Sequence, residues 1–166
     1  MRQPAKIILA TDLSPRCDRA TERAIALAKQ WGADLHLVTV HEPGLPRDHD
    51  KKDNAAIART RTRALESLRG FDAFVTVLEG RSEEQVAALA EGLSADLIVT
   101  GPPTGRLLAG SMLGGTIAAL MKDSRAAVLV VRRPADRPYT RVIAALDLSD
   151  ASRTTVEAAQ TIFCRE

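Results

Sequence analysis

Blocks of continuous apolar residues alternate with blocks of helical spacing along this chain. KIILAT (6–11) is a β-rich apolar run, closed by the turn-forming stretch DLSPR. From Cys17 to Trp31 the residues Ala20, Ala24, Leu27, Ala28 and Trp31 fall on one face of a helix, and Gly32 stands where a helix-ending glycine belongs. LHLVTV (35–40) predicts a second strand, followed by the polar loop HEPGLPRDHDKKD with its two prolines. AAIARTRTRALESLRG (55–70) predicts a helix stopped by Gly70, and AFVTVLEG (73–80) a strand. SEEQVAALAEGL (82–93) predicts a helix with Ser82 as N-cap, and DLIVTG (96–101) a fourth strand. GTIAALMKDS (115–124) and AVLVVRR (127–133) complete the pattern as a helix and a fifth strand.

Strands that alternate with helices and read as unbroken apolar runs indicate a parallel sheet covered on both faces. Right-handed crossovers then give an α/β, doubly wound sandwich. Ligands in such sheets bind beyond the carboxyl ends of the strands, at the switch point of the strand order. Those ends carry Asp12, the His41–Glu42 loop and the glycine-rich stretch TGPPTGRLLAGSMLGGT (100–116).

The opening pattern occurs twice. KIILATDLSPRCDRATERAIALA lies over RVIAALDLSDASRTTVEAAQTIF at an offset of 135 residues. Ile8, Ala10, Asp12, Leu13, Ser14, Glu22 and Ala24 match Ile143, Ala145, Asp147, Leu148, Ser149, Glu157 and Ala159. The expected organisation is one domain over residues 1–134, a linker over 135–140, and the strand and helix that open a second copy over 141–166. A lone strand–helix pair cannot bury both of its faces.

Composition narrows the function classes. The 166 residues are 45% hydrophobic and 27% charged, with a net charge of +2 and both signs mixed along the chain. That balance points to neither nucleic acid nor an anionic membrane. Two distant cysteines, Cys17 and Cys164, make no disulfide framework, and no run approaches the ~18–20 apolar residues of a membrane span. A reducing, cytoplasmic setting is expected. Asp48, His49, Asp50 and Asp53 are interleaved with lysines and read as a solvated loop rather than a metal site. His36 and His41 lack a nucleophilic partner at useful spacing, so no catalytic residue is expected. Arg59, Arg61, Arg63 and Arg69 read as a solvated helix face, and Cys17 as a buried structural thiol.

The order and spacing of ILATDLS, LHLVTVHEP, DLIVTG and the glycine loop leading to VLVVRR resemble the universal stress protein family. The resemblance covers residues 6 to about 133, and 141 to about 163 again as an incomplete copy. It implies five parallel strands in the order 3-2-1-4-5, the adenine nucleotide alpha hydrolase-like arrangement. In nucleotide-binding members an aspartate ends the first strand, a valine at the end of the second meets the base through its backbone, and a G-x2-G-x9-G-[ST] loop holds ribose and phosphates. Carried over, these positions are Asp12 and Val40, with Ala10 and Thr11 lining the pocket. The loop admits two registers. Without a gap its sites are Gly101, Thr104, Gly114 and Gly115; shifted by one they are Gly105, Gly115 and Thr116. Pro102 and Pro103 remove two amide donors from this loop, and Thr104 adds a side chain where the motif has none.

Three readings follow. The first is a stress-response module that binds or senses ATP or AMP, with Mg²⁺ only alongside the nucleotide. The second is a homodimerising interaction module without nucleotide, paired through residues 128–132 as the resemblance implies. The third is a slow ATP hydrolase, for which the chain offers no evident general base. Asp12 itself reads either as a pocket residue or as a cap of the helix that follows, with Pro15 near its first turn.

Overall fold

The carboxyl-end geometry depends on one strand. In a computed structural model describing residues 4–41, 54–103, 115–147 and 149–163, β1 (Lys6–Ala10) is the middle strand of a five-stranded sheet. Its partners are β2 (Asp34–His41), β3 (Phe74–Glu79), β4 (Leu97–Thr100) and β5 (Ala127–Val130), all parallel, in the order β3-β2-β1-β4-β5. The connecting helices are α1 (Asp18–Trp31), α2 (Asn54–Ser67), α3 (Ser82–Leu93) and α4 (Gly115–Asp123), and α5 (Asp150–Phe163) follows the sheet. The expected fold class and strand order are therefore observed.

Alternation along β1 divides the core in two. Ile7 and Leu9 point into one layer with Ala20, Ala24 and Leu27 of α1, while Ile8 points into the other with Val86 and Ala90 of α3 and Leu120 of α4. Ile7, Ile8 and Leu9 are fully sealed from water. Each such side chain contributes about 1.5–3 kcal/mol relative to exposure.

Element ends follow local chemistry. Gly32 closes α1 in the left-handed region (φ 63°), its N–H bonded to the Ala28 carbonyl. The N-cap of α3 is Arg81, one residue before the predicted Ser82. Gly80 (φ 129°) turns the chain off β3 early, Arg81 is still extended, and its guanidinium bonds Glu83 and Glu84 in the first turn. The helix α2 ends at Ser67 rather than Gly70, because Arg69 (φ 50°) and Gly70 (φ 80°) form a left-handed turn. The fifth strand stops at Val130, short of Arg133. Val131 N–H makes a final bond to the Thr100 carbonyl, and the Arg132 carbonyl instead accepts from Arg19 of α1.

Beyond β5 the chain runs over α1. Arg23, only 5% exposed, donates to the carbonyls of Pro134 (3.3 Å) and Arg137 (3.0 Å) and lies 4.3 Å from the centre of the Tyr139 ring. Tyr139 meets Phe163 of α5 edge-on at 5.2 Å, and Phe163 packs against the α1-side core. Charge, aromatic face and backbone acceptors thus clasp the tail to the domain.

The repeat folds only in part. Its helix forms as α5, but its predicted strand over 141–147 does not, and Ile143 is 95% exposed. The reason is physical. A helix satisfies its backbone within itself, whereas a copy of β1 needs a neighbour along its edge, and none among the described residues supplies one. No helix of the described residues is long and apolar enough to cross a membrane.

The twins Ile8 and Ile143 provide a test. Ile8→Ala should cost about 2–5 kcal/mol in urea unfolding, and Ile143→Ala should stay within about 0.5 kcal/mol. Equal costs would mean that 141–147 is a packed strand in solution.

Candidate functional site

β1 ends between two neighbours whose registers fix what meets there. Ala10 pairs with Val38 on one side and Thr100 on the other. Thr11 N–H adds a last rung to the Val38 carbonyl. Counted on in the same registers, Gly101 comes level with Thr11, and Val40 with Asp12. Val38 directs its carbonyl at β1, so Val40, two residues on, turns its backbone toward the same side, past the end of β1. Ala10 and Val40 are half-buried against the α3–α4 side of the core.

Asp12 organises the turn after β1. Its Oδ1 accepts from Ser14 N–H (2.9 Å), Ser14 Oγ (2.5 Å) and Cys17 Sγ (3.2 Å). Its Oδ2 takes the half-exposed Arg16 guanidinium at 3.2 Å. Leu13 adopts the left-handed region (φ 56°) with its N–H on Thr11 Oγ1 (3.0 Å), a conformation that costs energy in a residue with a branched side chain. Ser14 then precedes the 3₁₀ turn Pro15–Cys17, with Pro15 in its first position as expected. Partial burial alone would raise the Asp12 pKa. The donors Ser14 and Cys17 and the charge of Arg16 outweigh it and hold the carboxyl at about 2, against an ordinary 3.8. Asp12 is therefore an ionised acceptor as well as the organiser of the turn.

The same kind of bonding forms a second time around Asp147, although the described residues just before it make no strand. Asp147 Oδ1 accepts from Ser149 N–H (3.0 Å), Ser149 Oγ (2.6 Å) and Ser152 Oγ (2.8 Å). Ser152 occupies the repeat position of Cys17, and these donors hold the Asp147 carboxyl at about 2.

The expected loop residues divide. Gly101 is buried directly against the turn, and a Cβ there would lie 3.0 Å from Cys17 Sγ and 3.4 Å from the Arg16 carbonyl oxygen. Gly115 and Thr116 are exposed at the start of α4, and nothing among the described residues lies within 4 Å of where a Gly115 Cβ would stand. Thr104, Gly105 and Gly114 lie outside the described residues, as do Asp48, His49, Asp50 and Asp53. Among the described residues no three His, Cys, Asp or Glu side chains gather as a metal-binding group. A cleft of about 290 Å³ opens beside the turn between α1 and α2, lined by Thr11, Leu13, Ser14, Asp18, Thr21, Arg63, Glu66 and Ser67.

Sequence reasoning missed Arg16 and the contact between Cys17 and Gly101. Arg16 carries a signal, its i+4 spacing from Asp12. The Gly101 contact spans the sheet and leaves none.

The sheet order, with the acidic turn at its switch point, defines a doubly wound, all-parallel α/β protein. The sequence profile of the universal stress protein family matches residues 4–132, and the chain belongs to that family. A universal stress protein of Methanocaldococcus jannaschii is 27% identical over 140 residues, 78% of this chain and 82% of its own. The crystal structure of a universal stress protein in complex with cAMP is 26% identical, with a TM-score of 0.59 over 78% of this chain and 98% of its own. A universal stress protein from Archaeoglobus fulgidus in complex with dAMP shares the fold at 20% identity, with a TM-score of 0.53 over 79% of this chain and 99% of its own.

Because its folded pKa is depressed, ionised Asp12 contributes stability that is complete above pH 3.8 and lost as the pH falls through about 2. The stability difference between the wild type and Asp12→Asn should therefore be constant near neutrality and shrink below pH 4. Urea unfolding at stepped pH measures it. A difference unchanged down to pH 2 would contradict the ionised turn.

Proposed function

We propose that this protein is a stress-response module that binds an adenine nucleotide beyond the carboxyl ends of β1, β2 and β4. The observation that carries the reading is the division of labour within Asp12. Oδ1 is committed to the turn, and Oδ2 has only an exposed arginine as its partner among the described bonds. A carboxylate so held accepts from an amino or hydroxyl donor of the ligand. The Val40 backbone, level with it and past the last rung, serves the base. Gly115 and Thr116, exposed residues at the positive end of α4, suit phosphate through their backbone amides, and Mg²⁺ enters only with the phosphates. The 26%-identical relative solved with cAMP supports the ligand class.

Isothermal titration with ATP, AMP and cAMP tests this. Binding is expected for at least one of them, weakened about tenfold or more in Asp12→Ala, equivalent to ~1.4 kcal/mol. No heat from any of the three would sink the reading.

A second reading rests on the sheet edge. Among the described residues β5 pairs only with β4, so its outer side has no strand partner there, and homodimerisation through it would satisfy those backbone groups. Ala127 and Val131 direct their N–H groups at β4, which leaves those of Val128 and Val130 pointing outward. Val128→Pro removes an outward donor and spares the β4 ladder. Light scattering should find a dimer for the wild type and a monomer for Val128→Pro; a monomeric wild type at high concentration would reject this reading.

A further inference from the structure

Gly101 lies where the family motif expects a glycine that admits phosphate, yet the space beside it is already taken. Cys17 Sγ would stand 3.0 Å from a Cβ at Gly101, with Cys17 Cα and the Arg16 carbonyl oxygen at 3.4 Å. Gly101 has no positive φ that would call for glycine. What demands a residue without a side chain here is the close approach of the turn after β1. The same sulfur donates to Asp12 Oδ1 at 3.2 Å. One atom therefore touches both the carboxylate that ends β1 and the backbone that opens the loop after β4. At Gly115 the situation is reversed: nothing among the described residues lies within 4 Å of where a Cβ would stand.

We propose that Cys17 is a positioning residue seated in the gap left by Gly101, and that this contact couples the Asp12 carboxylate to the start of the glycine loop. Gly101 then serves packing, and phosphate contact falls to the α4 end of the loop. Ligand placement by this coupling rests on the nucleotide reading; the coupling itself does not. Burial raises the Cys17 pKa, so the thiol keeps the proton it donates to Asp12.

The repeat separates the two roles of the sulfur. Ser152 closes the Asp147 turn with a hydroxyl, so a hydroxyl suffices for the bond to the aspartate. Cys17→Ser should keep the low Asp12 pKa, and Cys17→Val, which retains bulk but loses the donor, should raise it. Gly101→Ala should also raise it, although residue 101 makes no bond to that carboxylate, because the new methyl displaces the sulfur.

The test is a double-mutant cycle on the full chain with Gly101→Ala, Cys17→Ala and their combination. It is read by urea midpoint and by NMR titration of the Asp12 carboxyl. Removing the thiol makes room for the methyl, so the double variant should unfold at a higher midpoint than additivity of the singles allows. Should Gly101→Ala alone fail to fold, recovery of folding in the double variant would be the same result. Additive midpoints, or an Asp12 titration unmoved in both Gly101→Ala and Cys17→Val, would overturn the coupling. Nucleotide titration of the same set separates the two ideas. If the wild type binds, Cys17→Val should bind several-fold more weakly than Cys17→Ser, and equal affinities would overturn the ligand-placing role. A wild type that binds no nucleotide rejects the functional reading and the ligand-placing role together, while the cycle still decides the coupling.

Discussion

The structure depends on keeping β1 dry on both faces and hydrogen-bonded on both edges. Ile7, Ile8 and Leu9 can be sealed only if helices cover each side, and the backbone can be satisfied only if β2 and β4 flank it. Those demands send the connection after β1 to one face of the sheet and the connection after β4 to the other, and the divergence opens the crevice beyond Ala10. The site is thus a by-product of covering a central strand, and its acidic turn sits there because β1 ends there.

The comparison of β1 with residues 141–147 isolates this constraint. The two segments share their pattern, yet the middle of one is fully buried and the other is exposed. Intrinsic preference cannot account for the difference; the presence of neighbours does. Arg23 holds residues 134–139 through carbonyl acceptors and an aromatic face, so the tail is attached by its ends while its apolar middle has no partner strand among the described residues.

The fold was legible because it is written in periodicity. Ile7 to Leu9, Leu35 to Val38 and Leu97 to Val99 are unbroken apolar runs, and Ala20, Ala24 and Leu27 repeat at helical spacing. Boundaries were less legible. Ser82, Gly70 and Arg133 misplace ends by one to three residues, because Arg81, Arg69 and the departure of the chain toward Arg19 decide them through local angles and tertiary bonds. At the site, Asp12 was visible in the DLSP turn, and its pairing with Ser14 follows from their spacing. The meeting of Cys17 with Gly101 depends on β4 lying beside β1, which no local pattern encodes.

The aspartate turn has a kinetic consequence. Asp12 reaches no further than Cys17, and Asp147 no further than Ser152. Such short loops close on a far shorter timescale than pairing of strands separated by many residues. The bonds to Asp147 form although the described residues 141–147 make no strand, so these bonds do not require a strand before them. After β1 such a turn can act as an early punctuation mark, ending the first strand and starting α1 before β4 arrives to complete the crevice.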